Sequence, residues 1–154
     1  MCSHDEIIGA VTAFYRQILR HPYLAETVLK IPPASGWENT NTAYLQKLAK
    51  NQTVVALLKR LPYLESSNQY ERLLIGYETA VIDYTQKSDS FMEEVNPLPS
   101  HCIYLTEGID REGYSLVLNT ENGNSIGSAS LETTRNMSLT VHRRQHHSIQ
   151  CFRL

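Results

Sequence analysis

Cysteine is scarce in this chain, and what there is does not pair. Cys2, Cys102 and Cys151 are odd in number and far apart, and no CxxC or Cys/His ligand spacing joins them. They read as free thiols, which excludes a disulfide framework and a thiolate metal site as organising features. No apolar run approaches the roughly 20 residues needed to span a bilayer. The first residues, Met1 to Glu6, include two acids and no lysine or arginine, and no apolar signal core follows them. A secretory signal or an Arg-rich transit peptide is therefore not expected, and the default compartment is cytosol or nucleus, where thiols stay reduced. The glycosylation-like triplets at Asn51 and Asn136 then have no consequence. Also missing are GxGxxG, GxxxxGK[ST] and HExxH. That counts against the commonest nucleotide-dependent and zinc-peptidase chemistries, and no cofactor or metal is expected.

What is present fits one globular domain. The 154 residues are 42% apolar and 19% charged, with a net charge of −2. Such a chain can bury a real core. The charge is unevenly spread: after Leu131, Arg135, Arg143, Arg144 and Arg153 face one acid, Glu132. A basic tail can bind nucleic acid or anionic lipid. Four arginines with a single aromatic among them, Phe152, point instead to a solvated terminus, with no nucleic-acid or membrane partner expected.

Helical signals fill the first half. Ser3 and Glu6 form a capping box, and Ile7, Ile8, Val11, Phe14, Tyr15, Ile18 and Leu19 recur at helical spacing. This predicts a helix over 5–20, ended by His21-Pro22. Pro22 opens a second short helix predicted through Lys30. A loop over 31–41 carries Trp37, an aromatic expected to dock on the core. Thr40 or Asn41 caps a helix bearing Tyr44, Leu45 and Leu48. Another helix runs over 53–61 and stops at Pro62.

Strand signals fill the second half. Strands are predicted over 72–77 and 79–85, then a loop over 86–100. The stretch from His101 to Gly123 is the clearest structural signal. Ile103 and Leu105 alternate with polar neighbours, as do Tyr114, Leu116 and Leu118, with Val117 on the opposite face. Period two predicts two half-buried strands. Gly108 and Gly113 bracket the reversal between them, and Asn122-Gly123 marks a further hairpin. Past Gly127 both periods fade. A mobile tail is one reading. A mis-assigned exon or a shifted reading frame that replaces the domain's last strands or helix is the other. The expected core is Ile7, Val11, Ile18, Val28, Leu45, Leu48, Val55, Leu58, Leu74, Val81, Ile103, Leu105, Leu116 and Leu118. Helices followed by consecutive strands argue an α+β fold, with N-terminal helices on one face of an antiparallel sheet.

Few residues suggest chemistry. Glu107, Asp110, Arg111 and Glu112 crowd one turn. They could grip a cationic or sugar-like ligand, or they could be a solvated turn in which Arg111 offsets its acidic neighbours. His101 and Cys102 are adjacent on a strand and so point to opposite faces, which denies the thiol this base. His142 and His146 have helical i, i+4 spacing, but their segment lacks helical apolar support.

Leu61-Pro62-Tyr63, the loop from Pro32 to Trp37, and the stretch from Leu105 to Tyr114 together resemble a family of small proteins from filamentous fungi. That family in turn resembles, more distantly, the SUKH superfamily, which includes fungal regulators of cell-wall glucan assembly and bacterial toxin-immunity proteins. The likeness spans residues 7–126. It implies a SUKH-like α+β domain over 1–130, and the basic composition and lost periodicity beyond it predict a poorly ordered tail over 131–154. It also implies a non-enzymatic, regulatory protein-interaction module with a protein partner, and no catalytic residues. The binding residues expected are Trp37, Glu107, Asp110, Arg111, Glu112 and Tyr114. The alternative is a small cofactor-independent tailoring enzyme, an isomerase or cyclase, or an accessory protein of fungal secondary metabolism. Such an enzyme would use a pocket of Trp37, Tyr63, Tyr84 and Tyr114, with Glu107 or Asp110 as base.

Overall fold

A computed structural model of the chain describes residues 3–20, 24–66, 72–86, 91–110, 113–120 and 140–143. Helix α1 spans His4–Ile18 and begins as its sequence dictates. The Glu6 amide donates to the Ser3 hydroxyl at 3.2 Å, and the Ser3 amide donates to the Glu6 carboxylate at 2.7 Å. Two of the helix's unsatisfied amino-terminal donors are thereby paired. Ile7, Val11 and Tyr15, four residues apart, form its buried stripe.

The expected second helix is absent. Glu26–Val28 makes a single 3-10 turn, and Leu29–Lys30 then forms strand β1. The β1 segment pairs antiparallel with β2, Tyr63–Leu64. Val28 and Leu29 thus lean on a neighbouring strand, where a β-branched residue fits better than in a helix. Helices α2 (Thr42–Lys47) and α3 (Gln52–Leu58) follow the predicted pattern. Each is capped by an asparagine: Asn41 accepts from the Tyr44 amide at 3.1 Å, and Asn51 from the Val54 amide at 2.9 Å.

The sheet is built from bent, short strands. Strands β3 (Leu74–Gly76) and β4 (Thr79–Val81) make a hairpin. The predicted loop over 86–100 contains helix α4, Phe91–Val95. Strand β5 (Cys102–Tyr104) pairs with β7 (Tyr114–Asn119), while β6 (Thr106–Gly108) pairs with β4. The chain therefore changes sheets at Leu105. Its amide donates to Leu116 O, and its carbonyl accepts from the Ile82 amide, so that one residue ties both three-stranded sheets. The fold is α+β with antiparallel sheets.

The expected half-burial of the central strands does not hold. Every residue from Cys102 to Gly108, and from Ser115 to Thr120, is buried. Both faces are covered, so period two in the sequence marks polar residues that are nonetheless inside, such as Thr106 and Ser115. Most of the expected core is buried, but Leu74 is 46% exposed, and Ile18, Val28, Leu48 and Val55 are half-buried. Leu74 sits on β3, which closes its sheet at one edge. Within the expected tail, Thr140–Arg143 forms strand β8, antiparallel to β7. The expected hairpin at Asn122-Gly123 lies outside the described residues.

Candidate functional site

The turn singled out in the sequence stands at one end of the sheet, where two hairpins converge on the backbone of Glu78. Glu78 takes a positive φ of 51° at the tip of the β3–β4 hairpin. Its carbonyl accepts from the Ile109 amide at 2.8 Å. Gly113 lies against the same carbonyl so closely that a Cβ there would stand 2.1 Å from the oxygen and 2.6 Å from Gly108 Cα. Only glycine allows that approach. The Gly113 amide donates to Asp110 O at 3.0 Å and closes the reversal.

Hydroxyl groups replace part of the backbone ladder here. Thr79 Oγ1 accepts from the Tyr114 amide at 3.0 Å and donates to Tyr77 O. Thr106 Oγ1 accepts from the Leu116 amide at 2.9 Å and donates to Tyr114 O. The Gly108 amide donates to Ser115 Oγ at 3.1 Å. Buried hydroxyls thus satisfy buried backbone groups where β6 and β7 diverge. The hairpin end is consequently held from several sides, although little of it is helix or regular ladder.

The predicted site residues separate on this scaffold. Glu107 is buried, not part of a solvated turn, and its carboxylate pairs with the guanidinium of Arg72 across the sheet. Asp110 is exposed, and Tyr114 is 38% exposed. Arg111 and Glu112 lie outside the described residues. Trp37 belongs elsewhere. Gly36, with φ +80°, turns the loop so that the Trp37 amide donates to Lys59 O at 2.8 Å. The indole then donates to Leu61 O, also at 2.8 Å, and its ring tilts onto Tyr63 at 6.1 Å. This half-buried Trp docks on the core, as its sequence setting predicts.

The hairpin end also carries apolar surface. Leu74, Tyr77, Ile109 and Tyr114 are four of the six large exposed apolar side chains among the described residues, and Tyr77 is 74% exposed. Tyr77 and Ile109 flank the Glu78 hub, and Tyr114 follows Gly113. The sequence reading missed Leu74, Tyr77 and Ile109. The available signal was an aromatic and an aliphatic residue at hairpin tips, where solvated polar residues are the rule.

The tyrosines of the alternative pocket do not gather to line one wall. Tyr63 is buried and donates to Leu58 O at 2.7 Å, and Tyr84 is buried and donates to Tyr104 O at 2.8 Å. Burial pushes both phenols well above their ordinary range, so they are neutral hydrogen-bond donors in the core. Tyr114 stands at the other end of β4, beside Thr79.

Among the described residues, the carboxyls with raised pKa are Asp83 and Glu93. Burial raises Asp83, Glu65 adds to the shift, and the hydrogen bonds from Thr85 pull it partly back. Burial also raises Glu93, opposed by the Lys50 amine 3.0 Å away. Neither side chain of that ion pair reaches solvent. Lys50 also donates to Leu98 O at 3.3 Å, and Asn96 and the Tyr104 hydroxyl bond each other close by. This network fastens the segment 91–100 over β5. Among the described residues no group of His, Cys, Asp and Glu is arranged to hold a metal ion. None of their helices is long and apolar enough to cross a membrane.

No family model, curated protein or solved structure matches this chain.

Proposed function

We propose that this chain is a non-enzymatic protein-interaction module of SUKH-like type with a regulatory role, and that the hairpin end is its contact surface. One observation carries the reading. Apolar side chains that would be inside a self-sufficient domain are instead presented around Glu78, on a backbone fixed by Gly108, Gly113 and three buried hydroxyls. A rigid, partly apolar patch rimmed by charge suits protein contact, because little ordering entropy is lost on binding. The test is affinity capture from native extract with the wild-type chain and with a Tyr77→Ser, Ile109→Ser variant. A discrete protein retained by the first and lost by the second supports the reading. Capture that ignores the substitutions removes the surface from the account, and absence of any captured protein removes the function.

A second reading has one observation in its favour. Asp83 is a half-buried carboxyl with a raised pKa whose field reaches the Tyr15 and Tyr63 phenols. A cofactor-independent isomerase or cyclase would use such a group as its base, in place of Glu107 or Asp110. A small molecule that stabilises the wild-type chain thermally, and fails to stabilise Asp83→Asn, would favour this reading over the first.

A further inference from the structure

Independently of the hairpin end, we infer that the segment 91–100 is an edge guard, which keeps strand β5 from pairing with the same strand of a second copy of this chain. Among the described residues β5 ends its sheet, whose order is β5, β7, β8. An edge strand turns every second residue's N–H and C=O away from its neighbour and presents them to any extended chain. The register identifies these residues. Leu105 donates its amide to Leu116 O, one place beyond the pair of Tyr104 with Val117. That pair is therefore of the kind that exchanges no bonds, and by alternation so is the pair of Cys102 with Asn119. Tyr104 and Cys102 point their backbone groups outward, while Ile103 bonds to β7.

These outward groups are met by loops and side chains, not by a strand. The Cys102 amide donates to Pro99 O at 2.9 Å. The Tyr104 carbonyl accepts from the Tyr84 hydroxyl at 2.8 Å. Burial raises the Glu93 carboxyl, and Lys50, the Leu98 amide and the Tyr104 amide pull it partly back. The Tyr104 amide therefore faces that carboxyl. Two of the three covers thus belong to the segment 91–100. Its helix α4 has five residues, far fewer than an independently stable helix needs. Residues 94–97, 99 and 100 are exposed. The segment is anchored by the Lys50 amine, which donates to Glu93 Oε2 at 3.0 Å and to Leu98 O at 3.3 Å, and by the Asn51 amide, which donates to Ser100 O at 2.9 Å. Glu93 Oε1 is buried without a hydrogen-bond partner among the described residues. A buried polar network with one oxygen unmet closes less firmly than a complete one.

What the guard keeps out follows from residues 102–106, Cys-Ile-Tyr-Leu-Thr. The run has no charge and no proline, and four of its five residues are apolar. Such a run, once its edge is open, pairs with another copy of itself. Antiparallel pairing centred on Ile103 sets Ile103 against Ile103 of the second copy and Cys102 against its Tyr104, so no like charges are opposed. The ion pair also acquires a purpose. A buried pair adds little net stability over apolar side chains of the same shape, and specificity is a role it can fill. Here it clamps a short segment across an edge that would otherwise be sticky.

The experiment has two arms, both on the full chain. The first follows amide hydrogen exchange of the wild-type chain by NMR. The outward amides of Cys102 and Tyr104 should exchange about tenfold or more faster than the inward amides of Ile103 and Leu105, through an opening smaller than global unfolding. Exchange of all four only by global unfolding overturns the proposal, and this arm stands even where a variant fails to fold. The second arm compares Lys50→Met and Glu93→Gln with the wild-type chain by sedimentation velocity, at roughly 10–100 μM, where open edges associate. Circular dichroism first establishes that each variant is folded. The variants should form dimers and larger species, and the Cys102 and Tyr104 amides should regain protection as they do so. Leu116→Ala, destabilised with its guard intact, should stay as monomeric as the wild-type chain. The proposal is overturned if the folded guard variants associate no more than the wild-type chain, or if Leu116→Ala associates as much as they do.

Discussion

Two groups of charge in this molecule have similar chemistry and opposite settings. The pair formed by Lys50 and Glu93 has no exposed side-chain surface and joins the α2–α3 link to helix α4. At the hairpin end, Asp110 stands on exposed backbone among exposed Leu74, Tyr77, Ile109 and Tyr114. In the first setting both charges are enclosed by protein and hold a segment in place, with the Lys50 amine on Glu93 Oε2 and Leu98 O. In the second the backbone is held by glycines and buried hydroxyls, and its apolar side chains face outward. Crowding of charge along the sequence pointed to the second group alone. The fully buried ion pair joins residues 43 positions apart, which no local pattern reveals.

The comparison breaks first at the buried pair. Lys50→Met should destabilise the fold by about 3–5 kcal/mol, because it leaves the Glu93 carboxylate buried without its counter-charge. Urea titration of the variant checks this, and Glu93→Gln, which removes the other charge, should be similarly harmful. Near-neutral behaviour of both would mean that the segment 91–100 is not held by this pair. Next comes the sheet core. Leu116→Ala removes a buried side chain on β7 and should cost about 2–5 kcal/mol in the same titration.

A smaller effect sharpens the contrast through pH. Burial raises the Asp83 carboxyl above its ordinary value of 3.8 in the folded chain. The folded state therefore binds the proton more tightly than the unfolded state does. Stability from this group is present below the unfolded pKa and is lost as pH rises from there through the raised folded pKa. Asp83→Asn should flatten that part of the stability profile, as measured by thermal unfolding across the acid range. A variant profile that keeps the full slope would assign it to another group.

How much of this was legible follows from where each signal resides. The α1 capping box, the Asn41 cap and the glycines around the reversal are local, and the structure uses them as the sequence implies. The alternation of Ile103, Leu105, Leu116 and Leu118 located the strands but not their double burial. Thr106 and Ser115 are polar in sequence, yet they sit inside because their hydroxyls bond backbone groups left open by the bend at Leu105. Helix α4 was hidden because five residues before a proline-rich stretch carry little periodicity. The candidate site was half legible. Gly108, Asp110, Gly113 and Tyr114 were visible as a turn, whereas Tyr77 and Leu74 join it only through pairing between β3, β4 and β6.

The most direct measurement pairs stability with capture in one variant. Tyr77→Ser, Ile109→Ser alters side chains that are exposed, so unfolding free energy should change by no more than about 0.5 kcal/mol per site. The account predicts that this variant unfolds at the wild-type denaturant midpoint and no longer retains the protein partner held by the wild-type chain. A partner retained in full by the variant, with its fold intact, would contradict the assignment of the hairpin end as the interaction surface.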